Sequence, residues 1–218
     1  MPPRLSRNLA LQRATQQLDK SRLRLVVSLR NRRLSAVSGR DTVFRAPVGV
    51  AHGLRLAFGG RSWRFQTPRG TRRVLRKTAN PVWTPPDWHY IETALVYGLR
   101  VAKLPSKGVS LRTGAKLVIR DSVVGIVRPG AQFAMLPTDE HLVFDGRVFI
   151  PPVGTLNRRV TESLGEYALD LGGGYLIHGT SNKASIGQAA SHGCIRVDDD
   201  DLMWLFENVP VGTPVLIH

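Results

Sequence analysis

Residues 176–197 read LIHGTSNKASIGQAASHGCIRV, and this stretch decides how the rest of the chain is read. A short apolar strand ends on His178, a loop of small polar residues follows, and the stretch closes on Ser191-His192-Gly193-Cys194-Ile195-Arg196. Cys194 is the only cysteine in 218 residues, so no disulfide can form within the chain. It is therefore either a buried structural residue or a reactive thiol. A thiol acts as a nucleophile when its thiolate is stabilised and a base lies within hydrogen-bond reach. His178, held at a strand end, is the candidate base. Gly193 lets backbone and substrate approach the sulfur closely and leaves the Gly193 and Cys194 amides free for a developing oxyanion. On an extended backbone Arg196 shares a face with Cys194, where it could lower the thiol pKa or clamp a substrate carboxylate.

Working outward, EYALDL and GYLIH read as two strands joined through Gly172-Gly173-Gly174. On the carboxy-terminal side, Asp198, Asp199, Asp200 and Asp201 crowd the first turn of a helix containing Leu202, Met203, Leu205 and Phe206. Gly212 follows this helix, and PVLIH is a terminal strand. Near the amino terminus, residues 1–20 form a lead-in, weakly helical or disordered. LRLVVSL, LSAV and TVFRAPVGV then predict an antiparallel meander. Residues 51–61 read as a Gly-rich loop, and 79–89, with three prolines and two tryptophans, as irregular. A helix is expected over 90–104, with short strands (KLVIRD, VVGIV, HLVFD, RVFI) from about 105 to 155. The whole predicts a mostly-β domain over residues 21–218 with one or two helices.

Charge is unevenly placed. Residues 1–80 hold 19 Lys and Arg against two acidic residues, an excess of +17, whereas residues 81–218 hold 12 against 14. A basic half of this kind suits an anionic partner: nucleic acid, anionic lipid or a polyanionic polymer. Aromatic residues make up 7% of the chain and are not interleaved with the Arg runs, which argues against stacking on nucleic-acid bases. No run approaches the roughly 18 consecutive apolar residues of a membrane span. The amino terminus lacks the apolar core of a secretory signal, as expected of a cytoplasmic protein or of one whose signal or anchor is missing from this sequence.

His178-Gly179-Thr180, Ser185-Ile186-Gly187 and Ser191-His192-Gly193-Cys194-Ile195-Arg196 stand in the order of the L,D-transpeptidase (YkuD-like) catalytic signature, which the chain resembles. TPRGTRRV, ANPVWTPPDW and the VPVGTPVLIH ending are similar to further parts of that family, whereas residues 98–155 look like an insertion or lid. The resemblance implies a YkuD-like β-sandwich or barrel and thioester chemistry on peptidoglycan stem peptides. Cys194 would attack the carbonyl of the third stem residue and release the terminal D-alanine. His178 would take the thiol proton, oriented by the Gly179 carbonyl, and amides around His192, Gly193 and Cys194 would hold the oxyanion. Ser191 and His192 would shape the pocket, with Arg196, Thr180 and Tyr175 contacting substrate. The thioester would pass to the side-chain amine of another stem, forming 3-3 cross-links, to water in an L,D-carboxypeptidase, or to a lipoprotein amine. No metal or organic cofactor is implied, and the expected location is the cell envelope.

Rival readings are a zinc hydrolase built on His178, His192 and Cys194, a basic nucleic-acid or anionic-polymer binding module, and a non-catalytic wall binder. The first lacks a nearby glutamate base and has an unusual ligand spacing.

Overall fold

In the strand Leu23–Ser28, Leu23, Leu25 and Val27 turn inward and are buried, while the residues between them face outward or lie partly covered. This period-two alternation makes one face of a sheet. The strand pairs antiparallel with Arg33–Ser38, which pairs antiparallel with Asp41–Pro47, as the meander predicts. Its other edge is taken by the chain end: Pro214–Ile217 runs parallel to it, with Leu25 opposite Val215, and Gly70–Arg73 completes the five strands. A second, four-stranded sheet runs in the order Ile195–Arg196, Leu176–His178, Tyr167–Asp170 and Arg76–Ala79. Leu25, Val27 and Leu34 from the first sheet share one core with Leu169, Ile177 and Ile195 from the second. Fully burying such a side chain stabilises by about 1.5–3 kcal/mol.

The computed structural model describes residues 4–16 and 18–218; residues 1–3 and 17 of the expected lead-in lie outside the described residues. Among the described residues there are three α-helices: α1 (Arg4–Gln16), α2 (Asp87–Val96) and α3 (Asp199–Asn208). Asp198 caps α3, its carboxylate accepting from the Asp200 amide, and Leu202, Trp204 and Leu205 enter the core. Trp204 stacks on Phe44 at 4.3 Å between ring centroids and donates to Thr15 of α1. Among the described residues no sheet closes on itself, and no helix is long and apolar enough to cross a membrane. The fold is mostly β, as the sequence predicts.

The chain divides into two compact units, one comprising Met1–Arg55, Arg64–Pro81 and Glu162–His218, the other Leu56–Trp63 and Val82–Thr161. The second is wider than the segment 98–155 read as an insertion. In it, Tyr90 and Ala94 of α2 pack on Val148 and Ile150. Buried Arg158 ties the helix start down through Asp87, at 2.7 Å.

Three local readings are corrected. The helix expected over 90–104 starts earlier and stops at Val96. Gly98 takes φ +64, and the Leu99 and Gly98 amides bond back to the Ala94 and Leu95 carbonyls, a glycine stop that frees Arg100–Lys103 to form a strand. The irregular stretch 79–89 ends in the first turn of α2, with Pro86 at the cap, where its missing N–H costs nothing. Residues 51–61, read as loop, enter a hairpin of Arg55–Phe58 and Arg61–Arg64, turned by Gly59 and Gly60 at positive φ.

Candidate active site

Strand register assembles the site. Leu176–His178 and Ile195–Arg196 run parallel, with Ile177 opposite Ile195 and His178 opposite Arg196. Ile177 and Ile195 are buried in the core, so the alternation turns His178 and Arg196, and Cys194 one step before the strand, to the other face. Two segments 16 residues apart in sequence thereby put a thiol, an imidazole and a guanidinium on one surface.

His178 is buried, and its Nδ1–H donates to the Gly179 carbonyl at 2.5 Å. That bond fixes the tautomer and leaves Nε2 as the basic nitrogen. Burial pulls the imidazole pKa down to about 4, aided by the Arg196 charge and resisted by the Gly179 and Leu164 carbonyls. Cys194 is half-buried, its Sγ 3.8 Å from the Gly174 carbonyl. Burial pushes the thiol up, outweighing the Leu176 backbone contact and Arg196, both of which favour the thiolate. Arg196 acts in the expected direction but does not win. Both shifts run toward the neutral forms, thiol and imidazole, and away from an ion pair.

Glycine at 179 and 165 is a packing requirement. A Cβ on Gly179 would come within 2.4 Å of Asp199 Oδ1, and one on Gly165, itself at φ +70, within 2.7 Å of the Gly179 Cα. The segment carrying His178 thus lies directly on the start of α3. Lys183 pairs with Asp199, tying the loop of residues 180–188 to the same helix.

The turn before the cysteine is closed by Ser191. Its hydroxyl donates to the Cys194 carbonyl at 2.5 Å and accepts from the Gly193 amide at 3.2 Å. The Gly193 amide, expected to be free for an oxyanion, is therefore engaged. Gly193 sits at φ +154, and a Cβ there would meet the Tyr175 ring at 3.0 Å. Tyr175 packs on the turn, and the Arg72 guanidinium lies over its ring, 4.9 Å from the centroid. Thr180, expected to touch substrate, is buried, and its hydroxyl accepts from the Asn182 amide at 3.1 Å, so it shapes the loop.

His192 packs edge-on against His52 and Phe65, at 4.9 and 4.6 Å between centroids. Neither neighbour is marked by any motif. The pairing of Val50–Ala51 with Ala189–Ser191 brings His52 there, its amide donating to the Ser191 carbonyl at 3.0 Å. Among the described residues, no three His, Cys, Asp or Glu side chains are grouped closely enough to hold a metal ion.

The model of the L,D-transpeptidase catalytic domain family, YkuD, matches residues 22–217. The probable L,D-transpeptidase ErfK/SrfK of Escherichia coli strain K12 is 52% identical over 54 residues, 25% of this chain and 17% of that protein. The putative L,D-transpeptidase YkuD of Bacillus subtilis strain 168 is 54% identical over 44 residues, 20% of this chain and 27% of that protein. The matched segments thus span under a third of either relative. Among solved structures, the L,D-transpeptidase (residues 123-326) of Xylanimonas cellulosilytica is similar at 19% identity and TM-score 0.47, over 90% of this chain and 60% of that one. L,D-transpeptidase 3 of Mycobacterium tuberculosis, in complex with a faropenem-derived adduct, gives 14% identity and TM-score 0.46 over the same shares.

Proposed function

The chain belongs to the L,D-transpeptidase catalytic domain family, and from that premise we propose that it is a cysteine-dependent acyltransferase acting on peptidoglycan tetrapeptide stems in the cell envelope. The observation that carries this reading is the parallel register that gives His178, Cys194 and Arg196 one face, with His178 Nδ1 committed to Gly179. As Sγ attacks the carbonyl of the third stem residue, Nε2 of neutral His178 takes the thiol proton. The C–N bond to the terminal D-alanine breaks, and the proton leaves with its amine. An acceptor amine then attacks the thioester: a C–N bond forms, the C–S bond breaks, and the amine proton returns through His178 to the Cys194 sulfur. Arg196 anchors the donor, and Ser191 holds the turn.

Intact-mass analysis after incubation with a disaccharide-tetrapeptide tests this reading. The expected product is a cross-linked dimer with release of D-alanine. Tripeptide alone would make water the acceptor and the chain a carboxypeptidase; no reaction would sink both. A carbapenem is expected to leave a one-to-one adduct on Cys194 that persists for an hour. The carboxylate that bears electrostatically on the thiol, Asp170, is already held by the Gly172 amide at 2.8 Å and by Arg76 at 3.3 Å. It is thus a poor base for a deacylating water. Drug consumed without an adduct would refute the slow deacylation.

The +17 excess of residues 1–80 supports attachment to anionic envelope polymers or membrane surfaces, without sequence-specific nucleic-acid binding. Binding to purified sacculi is expected to fall steeply between low and physiological salt, because screening shortens the reach of surface charge. Salt-independent binding, or discrimination among DNA sequences, would count against this.

A further inference from the structure

A cavity of about 510 Å³ lies in the first unit, lined in part by Arg30, Arg32, Gln66, Thr67, Arg69 and Ala189. Three arginines are among its lining residues, and no acidic residue is. Among the described residues none of the three has a carboxylate partner. Like charges gathered without a counter-charge repel one another, and an anionic ligand relieves that repulsion. Arginine's planar fork suits a carboxylate better than a point charge does.

The cavity is built as well as charged. Arg32 sits at φ 49, a left-handed conformation that non-glycine residues rarely adopt, and its carbonyl accepts from the Val48 amide at 2.9 Å. Buried Thr67 accepts from the Ala51 amide at 3.0 Å, fixing the wall.

The cavity also adjoins the catalytic turn. Ala189 begins the strand that ends at Ser191, paired with Val50 and Ala51 of the cavity wall. The Gln66 carbonyl lies 3.5 Å from where a Cβ on Gly193 would stand. None of the lining residues belongs to the strand pair that carries His178 and Arg196.

We propose that this cavity is the acceptor subsite, in which the arginines hold a free carboxylate of the stem peptide whose amine attacks the Cys194 thioester. It rests on the transpeptidase reading: two peptides must meet at one sulfur, and Arg196 already serves the donor face. The transfer step is the one given above, a C–N bond replacing the C–S bond, so the subsite adds binding and no new chemistry.

The test separates the two half-reactions. The full chain is loaded with a tetrapeptide donor, thioester formation is timed by intact mass, and its decay is followed against acceptor concentration. Arg32→Gln, Arg69→Gln and the double variant are compared with wild type, using a stem acceptor and the same acceptor with its carboxylates amidated. The expected result is an acceptor half-saturation concentration raised roughly tenfold per arginine, the size of a lost charge-assisted hydrogen bond. Thioester formation should stay within about twofold of wild type. The amidated acceptor should bind wild type as weakly as the variants bind the native one, and be insensitive to the substitutions. Arg32→Lys should recover part of the loss. Arg32→Gly removes the guanidinium while suiting the backbone at φ 49, and decides the matter if the glutamine variant does not fold.

Unchanged acceptor dependence overturns the subsite, as does equal loss with the amidated acceptor. A parallel fall in thioester formation assigns the cavity to the donor and also overturns it. A wild-type chain that forms no thioester sinks the transpeptidase reading itself, whereas one that forms it with unaltered acceptor dependence sinks the subsite alone.

Discussion

Cys194→Ala is expected to leave less than about one part in a thousand of wild-type acyl transfer, because removing a covalent nucleophile removes the intermediate itself. The fold should survive. Cys194 is half-buried, outside the main core, and the contact its sulfur makes with the Gly174 carbonyl is long at 3.8 Å. Thermal melting separates the two effects, with little change expected in the midpoint while single-turnover acylation disappears. Residual turnover above that level in a folded variant would refute the nucleophile. The raised thiol pKa gives a second handle. Alkylation by iodoacetamide should be slow at neutral pH and accelerate only on the alkaline side, since the free thiolate is what reacts. Fast alkylation at pH 7 would mean a resting thiolate–imidazolium pair, contrary to the electrostatics of the buried site.

The second large effect belongs to His178. His178→Ala is expected to slow acylation by roughly a hundredfold to ten-thousandfold, the range for a lost general base. His192→Ala should cost less at this step, because that ring packs on His52 and Phe65 and supports the turn through shape. A larger loss for His192→Ala would reverse the assignment.

The pH dependence follows from burial. With the His178 pKa lowered to about 4, the base stays neutral across the mildly acidic range. The acid limb of the acylation profile should therefore fall near pH 4, well below the ordinary histidine range. A limb between pH 6 and 7 would contradict the burial. Stability carries the same sign. Between the unfolded pKa of 6.5 and the folded value of about 4, the unfolded chain binds a proton that the native one does not. Stability therefore rises with pH across that window and is lost as pH falls through it, by on the order of 3 kcal/mol. The melting point of His178→Ala should lack this component of the acid sensitivity.

Much of the chemistry was legible in residues 176–197 because the motif is local. His178, Gly193 and Cys194 stand out from strand ends, turn glycine and the sole thiol, whereas the roles of Gly179 and Ser191 came from the resemblance to the L,D-transpeptidase signature. The engagement of Gly193 by Ser191 was not legible, because a hydroxyl's partner depends on how the turn curls. Nor was the net direction of the thiol pKa: sequence shows Arg196 beside Cys194, but not the burial that outweighs it.

Local sequence by itself determined the strands with clean alternation, the Asp-rich start of α3, a sole cysteine that closes a Ser-His-Gly-Cys turn, and a basic amino-terminal half. Tertiary structure alone decided which strands became neighbours. Leu23–Ser28 accepts the chain end in parallel beside it, and Val50–Ala51 pairs with Ala189–Ser191, bringing His52 and the arginine-lined cavity to the turn before Cys194. The physical reason is that an apolar strand face specifies burial but not a partner. Pairing between segments more than a hundred residues apart is fixed by how the shared core of Leu25, Ile177, Ile195 and Ile217 fills, and no local pattern encodes that packing.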